Sequence, residues 1–188
     1  MSFPRVSARF AVFVLLAVLL RPAAVPAAQR GLEYEVKAAY LYNIISFVTW
    51  PPDAFAGAAD PIRVCVFGAD PFGPLLDKTL EGGVADRRPM TAERVGDAEG
   101  IARCHLVFVP LGSADRTDQV LRATASHPIL TVGESPDFLR RGGMIAFVID
   151  GGRVRFDVNA PAATTRGLTL SSRLLQVARS VIGKGQRS

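Results

Sequence analysis

The run Ile62-Arg63-Val64-Cys65-Val66-Phe67-Gly68-Ala69-Asp70-Pro71 decides the architecture. Its first six residues are mostly β-branched, aromatic or apolar and suit a short strand. Gly68 then turns the chain, and Asp70 is placed to cap a helix whose first position is Pro71. The segment therefore reads as a strand entering a helix. Downstream the pattern returns: His105 to Pro110 is a dense apolar strand, Ser113 to Ala125 a capped helix, Ile129 to Gly133 another strand, and Ser135-Pro136-Asp137 opens a further helical turn. Such alternation builds βαβ units. Continuously apolar strands of this length belong in a parallel sheet whose two faces are covered by crossover helices.

Between these units, Val84 to Val95, interrupted by Pro89, is a weaker strand, and Gly96 to Gly100 is a polar turn. Gly143 to Ile149 and Arg153 to Val158, joined through Asp150-Gly151-Gly152, predict an antiparallel hairpin. Two helices frame the plan. Leu32 to Trp50 carries Val36, Tyr40, Ile44 and Phe47 on one stripe and Leu41, Ile45 and Val48 on its neighbour, before Pro51 and Pro52 end it. No charge follows Lys37 until Asp53, so this helix is buried or faces a partner. Leu168 to Ile182 repeats helical spacing at Leu170, Leu174, Val177, Ala178 and Val181. The expected fold is a single α/β domain over residues 28–188, a three-layer α/β/α sandwich with a mostly parallel sheet ending in an antiparallel hairpin. The chain's 188 residues, 49% hydrophobic and 21% charged, suffice for one such core.

The amino terminus reads as a secretory signal over residues 1–27. Arg5 and Arg9 form a positive region, Phe10 to Leu20 an unbroken apolar one, and Val25-Pro26-Ala27 suits cleavage after Ala27. Eleven apolar residues fall short of the roughly 20 needed to span a bilayer. Of the 22 Lys and Arg residues, three lie in this leader, leaving 19 against 17 acidic side chains. So small an excess gives no electrostatic ground for a nucleic-acid partner. Export places the protein in an oxidising compartment, where Cys65 and Cys104 become a candidate pair. With only His105 and His127 as imidazoles and no Cys-x-x-Cys spacing, no metal site is expected.

Catalytic patterns fail in detail. Gly68-Ala69-Asp70-Pro71-Phe72-Gly73 resembles a phosphate cradle, but Pro74 and Leu75 stand where Lys and Ser or Thr would be needed, and Asp70 would repel the anion. Gly112-Ser113-Ala114-Asp115 lacks the nucleophile elbow. His105 adjoins Cys104, yet neighbouring strand residues point to opposite faces, so a Cys-His dyad should not form. The carboxylates Asp70, Asp137 and Asp150 sit at turns and helix starts, and no acid–base pair stands out.

The string Val36-Lys37-Ala38-Ala39-Tyr40-Leu41-Tyr42-Asn43, ending in Phe47-Val48-Thr49-Trp50-Pro51, resembles the opening of the YfiR family, periplasmic proteins also typified by HmsC. The resemblance continues through Cys65-Val66-Phe67-Gly68, Pro71-Phe72-Gly73, Cys104 to Phe108, Ile129 to Val132, Gly142 to Ile145, Arg155 to Asn159 and Gly167 to Leu175. What it implies is a non-enzymatic repressor without cofactor, which binds the periplasmic sensor domain of an inner-membrane diguanylate cyclase and limits cyclic di-GMP and biofilm formation. It further implies sequestration by an OmpA-like outer-membrane lipoprotein and a capacity to form homodimers. Some members carry two disulfides; here Cys65 and Cys104 match one pair and the second is absent. Tyr40, Tyr42, Phe47 and Trp50 are the expected partner contacts, because aromatic side chains are enriched at interfaces. The rival expectation is a periplasmic ligand-binding domain or small enzyme using the crevice near Gly68 to Gly73 and Pro110 to Ser113.

Overall fold

The apolar stripe of the first helix outlasts the helix itself. In the computed structural model, which describes residues 27–112 and 114–183, helix α1 spans Ala27–Ile45 and stops short of the expected Trp50. The Ser46 and Phe47 amides donate to the Asn43 and Ile44 carbonyls at 3.1 and 2.9 Å, tightening the last turn. Strand β1 (Val48–Thr49) then pairs antiparallel with Leu170 and Thr169. Strand pairing therefore claims two β-branched residues that helical spacing alone would have kept.

The main sheet takes in β2 (Ile62–Phe67), β3 (Val84–Ala85), β4 (Arg88–Val95), β5 (Leu106–Val109), β6 (Leu130–Gly133), β7 (Ile145–Asp150) and β8 (Arg153–Asn159). Strand β9 (Thr169–Leu170) is the partner of β1, and β10 (Ser180–Ile182) completes the main sheet in the order β10-β8-β7-β6-β5-β2-β4-β3. From β4 to β7 neighbours run parallel, while β3–β4 and β7–β8 are antiparallel. The expected α/β class and terminal hairpin are present. The hairpin is not the sheet's edge, however, because β10 adds outside it, parallel to β8.

Alternation along the strands creates two cores. Val64, Val66, Leu106 and Phe108 face one side with Leu41, Ile44 and Ile45 of α1 and with Leu76 and Leu80 of α2 (Pro74–Leu80). Cys65, Phe67, Val107 and Val109 face the other, with Ile101 of α3 (Ala98–Ala102) and Val120 and Leu121 of α4 (Ala114–Ala123). Helices thus cover both faces, as continuously apolar strands require. Each fully buried Val, Leu or Phe contributes about 1.5–3 kcal/mol.

Several local expectations shift. Asp70 makes a turn rather than a helix cap: its Oδ1 accepts from the Phe72 amide at 2.8 Å, and α2 starts three residues beyond Pro71. The Val84 to Val95 run is two strands joined at Asp86 and Arg87, whose positive φ of 48° and 64° supplies a tight hairpin turn. Within the 96–100 turn, Asp97 caps α3 by accepting from the Gly100 amide at 2.7 Å. Residues 136–141 form turns, with the Arg141 amide donating to the Asp137 carbonyl at 3.0 Å as in one helical turn. The expected helix Leu168 to Ile182 is divided into β9, α6 (Ser172–Val177) and β10, after α5 (Ala160–Thr165). Ser171 caps α6 through the Leu174 amide at 3.3 Å, and the Arg179 amide leaves the helical path to donate to the Phe156 carbonyl at 2.8 Å. The open flank of β8 captures the chain there. Among the described residues no helix is long and apolar enough to cross a membrane. The expected leader, save for Ala27, lies outside them.

Candidate functional site

In a parallel sheet the crevice for ligands lies beyond the strands' carboxyl ends, where crossovers change direction. Here β2 leads to β4 on one side and β4 returns to β5 on the other, so the change falls between Gly68 and Pro110. That place is occupied by structural bonds. Arg94 of β4 donates to Asp70 at 2.8 Å and to the Gly73 carbonyl at 2.6 Å, and pairs with Asp77 at 2.7 Å. Its hydrogen bond holds the Asp77 carboxyl below the usual carboxylate range. Arg116 lies close beside Gly68 and Gly112. The 68–73 glycine turn is therefore clamped to β4 through Asp70 and the Gly73 carbonyl.

A cleft of about 570 Å³ opens elsewhere, beyond the end of β6. Its size lies within the ordinary range for ligand sites of about 300–1,000 Å³. Tyr34 and Lys37 of α1, Leu111 after β5, Glu134 after β6 and Phe147 and Ile149 of β7 line it. Lys37 is 4% exposed and pairs with both Glu33 and Glu134. Glu134 also accepts from the Tyr34 hydroxyl at 3.2 Å and from the Leu111 amide at 2.9 Å. Together these bonds tie α1 to the ends of β5 and β6. A buried ion pair with its remaining lone pairs satisfied is costly to break from one side, by about 3–5 kcal/mol. Apolar side chains stand exposed on the rim, Leu111 at 68% and Ile149 at 55%, beside Arg140 and Arg179.

The four aromatic residues expected at the interface belong to the wall of the first core. Tyr40 packs its ring 5.9 Å from Phe147 and 5.6 Å from Phe156. Tyr42 lies against Gly83, and Tyr40, Tyr42 and Phe47 are half-buried. Trp50 is buried, its indole N–H donating to the His105 carbonyl at 3.3 Å. Of the four, Tyr40 reaches a residue of the cleft, through its ring contact with Phe147. Tyr34, Lys37 and Glu134 were missed; the signal for Lys37 was a single cation four residues after Glu33 on an otherwise apolar stripe. Glu134 offered none, because its partners are 97 and 100 residues away.

Cys65 and Cys104 are joined, with their Cα atoms 6.0 Å apart, inside the second core. His105, in the bend just before β5, is directed away from the bridge. Its Nδ1 accepts from the Arg63 amide at 3.0 Å, its Nε2 lies 3.1 Å from the Ala54 carbonyl, and its ring stacks on Phe55 with centroids 4.4 Å apart. Neutral imidazole protonated on Nε2 satisfies both contacts. Burial lowers its pKa, and the nearby Arg63 and Arg88 act in the same direction, against the Ala54 bond and Asp60.

Over residues 34–179 the chain matches the profile of the YfiR/HmsC-like proteins. The chain belongs to the YfiR/HmsC-like family. This match runs from Tyr34 of α1 through to Arg179, so most of both cores and most of the cleft lining lie within the YfiR-like domain. Two solved structures are similar in fold. One is described as an ABC domain from Streptococcus pneumonia in complex with L-Trp, at 13% identity and a TM-score of 0.54, covering 77% of this chain and 60% of the other. The second is a conserved domain protein from Vibrio cholerae O1 biovar El Tor, at 12% identity and a TM-score of 0.50, covering 78% and 59%. The YfiR-like chain thus spans about three fifths of the length of either.

Proposed function

We propose that this YfiR-like protein is an exported regulator that binds the periplasmic sensor domain of an inner-membrane diguanylate cyclase and represses it, lowering cyclic di-GMP and biofilm formation. The match to the family over residues 34–179 carries this reading. Support comes from the leader-like amino terminus and the Cys65–Cys104 bridge, which suits an oxidising compartment. Repression needs no bond made or broken. A binder that prefers the inactive arrangement of its target shifts the population toward it by its difference in affinity for the two states.

Tyr40, Tyr42 and Phe47 would meet the partner through their exposed edges, with Trp50 holding the segment from behind. An OmpA-like outer-membrane lipoprotein would relieve repression by sequestering the protein, which also has the capacity to pair with a second copy. The small-ligand reading keeps one specific support, the 570 Å³ cleft, although the Lys37, Glu33 and Glu134 charges within it are spent on one another. Deleting the gene and measuring cellular cyclic di-GMP separates the two. A rise is expected; an unchanged level would overturn repression.

A further inference from the structure

Strand β7 outruns its parallel neighbour. Gly133, the last residue of β6, lies opposite Ala146, whereas β7 continues to Asp150 with β8 alongside throughout. In an antiparallel pair, alternate residues direct their N–H and C=O toward the partner. The Asn159 amide donates to the Met144 carbonyl at 2.7 Å, which places Met144, and by alternation Ala146, Val148 and Asp150, among those turned to β8. Phe147 and Ile149 turn the other way, into the space where β6 has ended. Pairing of Gly133 with Ala146 engages the Phe147 N–H. The Phe147 carbonyl and both main-chain groups of Ile149 have no strand partner among the described residues, and both residues line the 570 Å³ cleft.

We propose that this cleft accepts an extended peptide segment of the partner protein, added as a strand along Phe147 to Asp150 in the place β6 vacates. The proposal rests on the regulatory reading above and adds a second place of contact to the aromatic one. Three features choose this occupant. Donor and acceptor groups at strand spacing are complemented by another extended backbone. Exposed Leu111 and Ile149 flank the edge and suit apolar side chains at alternate positions of the peptide. Of the cations lining the cleft, Lys37 pairs with Glu33 and Glu134 and Arg179 with Asp157, while exposed Arg140 has no acidic partner among the described residues. The complementary segment is therefore apolar at alternate positions and carries an acid.

The test titrates the purified protein with a capped hexapeptide alternating valine and threonine around one aspartate, following binding and amide hydrogen exchange. Slowed exchange at the Ile149 amide is expected. A peptide N-methylated at alternate positions, and the variant Ile149→Pro, each remove one side of the main-chain bond and should weaken binding about tenfold. Ile149→Val should bind as the parent does. Unchanged exchange at the Val148 amide, which faces β8, verifies that Ile149→Pro keeps the hairpin. Equal affinity for the N-methylated peptide, or unaltered exchange at Ile149 under saturating peptide, would overturn the proposal. So would a self-association that Ile149→Pro abolishes while peptide binding is absent, since the edge would then belong to a second copy. Failure here with cyclic di-GMP control intact sinks only the groove; protection at Ile149 in a protein whose deletion leaves cyclic di-GMP unchanged supports the groove and sinks only the regulatory reading.

Discussion

His105 holds three parts of the chain through one neutral ring: the Arg63 amide, the Ala54 carbonyl and the face of Phe55, which Arg88 covers from beyond at 3.7 Å. A proton on Nδ1 would set N–H against N–H at Arg63 and add a cation beside two arginines. Because burial depresses the folded-state pKa below that of the unfolded chain, the unfolded state binds the proton more readily. The stability this group contributes is fully present above about pH 6.5 and is lost as pH falls through the folded pKa. Urea denaturation should show a stability loss between pH 7.5 and pH 5 that is smaller in His105→Gln. An equal loss in both proteins would assign the acid sensitivity to other groups. The strand that the sequence starts at His105 begins one residue later, at Leu106, and the His105 side chain diverges from Cys104 as expected. The sequence could not name Ala54 or Phe55, because these partners arrive from a loop 50 residues earlier in the chain.

Among the elements, the connection from β6 to β7 depends on one ring. Phe138 is fully buried between Gly133 and Gly143, and a β-carbon at either glycine would overlap it. Gly143→Ala should therefore destabilise the protein by about 1–3 kcal/mol, the usual cost of overpacking. A thermal melt within error of the parent would show that the ring has room to move. Glycine at 133 and 143 looks like ordinary strand and turn punctuation, since close approach of a side chain five residues away on either side leaves no periodic trace. The two overextended helices teach the same lesson from the opposite direction. Phe47 and Val48, like Val177 and Val181, sit at helical spacing, yet Val48 pairs with Leu170 and Val181 with Val158. A short β-branched run beside an unpaired strand edge gains more from the ladder than from another helical turn.

For the whole molecule, the Cys65–Cys104 bridge links β2 to the entry of β5 across a separation of 39 residues. That interval holds α2, β3, β4 and α3, one entire flank of the sheet. Constraining a loop of this length in the unfolded chain stabilises the fold by about 4 kcal/mol in the loop-entropy model. Reduction, or paired Cys65→Ser and Cys104→Ser substitution, should lower the denaturant midpoint accordingly without changing the far-UV spectrum. A midpoint unaffected by reductant would show that the second core alone holds this flank.

The sequence by itself determined the class of fold, the mostly parallel sheet, the antiparallel hairpin and the family, because each rests on local runs of apolar residues and turn chemistry a few residues long. Tertiary structure alone decided that β10 would edge the sheet, that Lys37 would meet Glu134, and that β7 would extend four residues past β6. These features depend on which distant segments fill a vacant strand edge or neutralise a buried charge, a competition settled only when the layers close on one another.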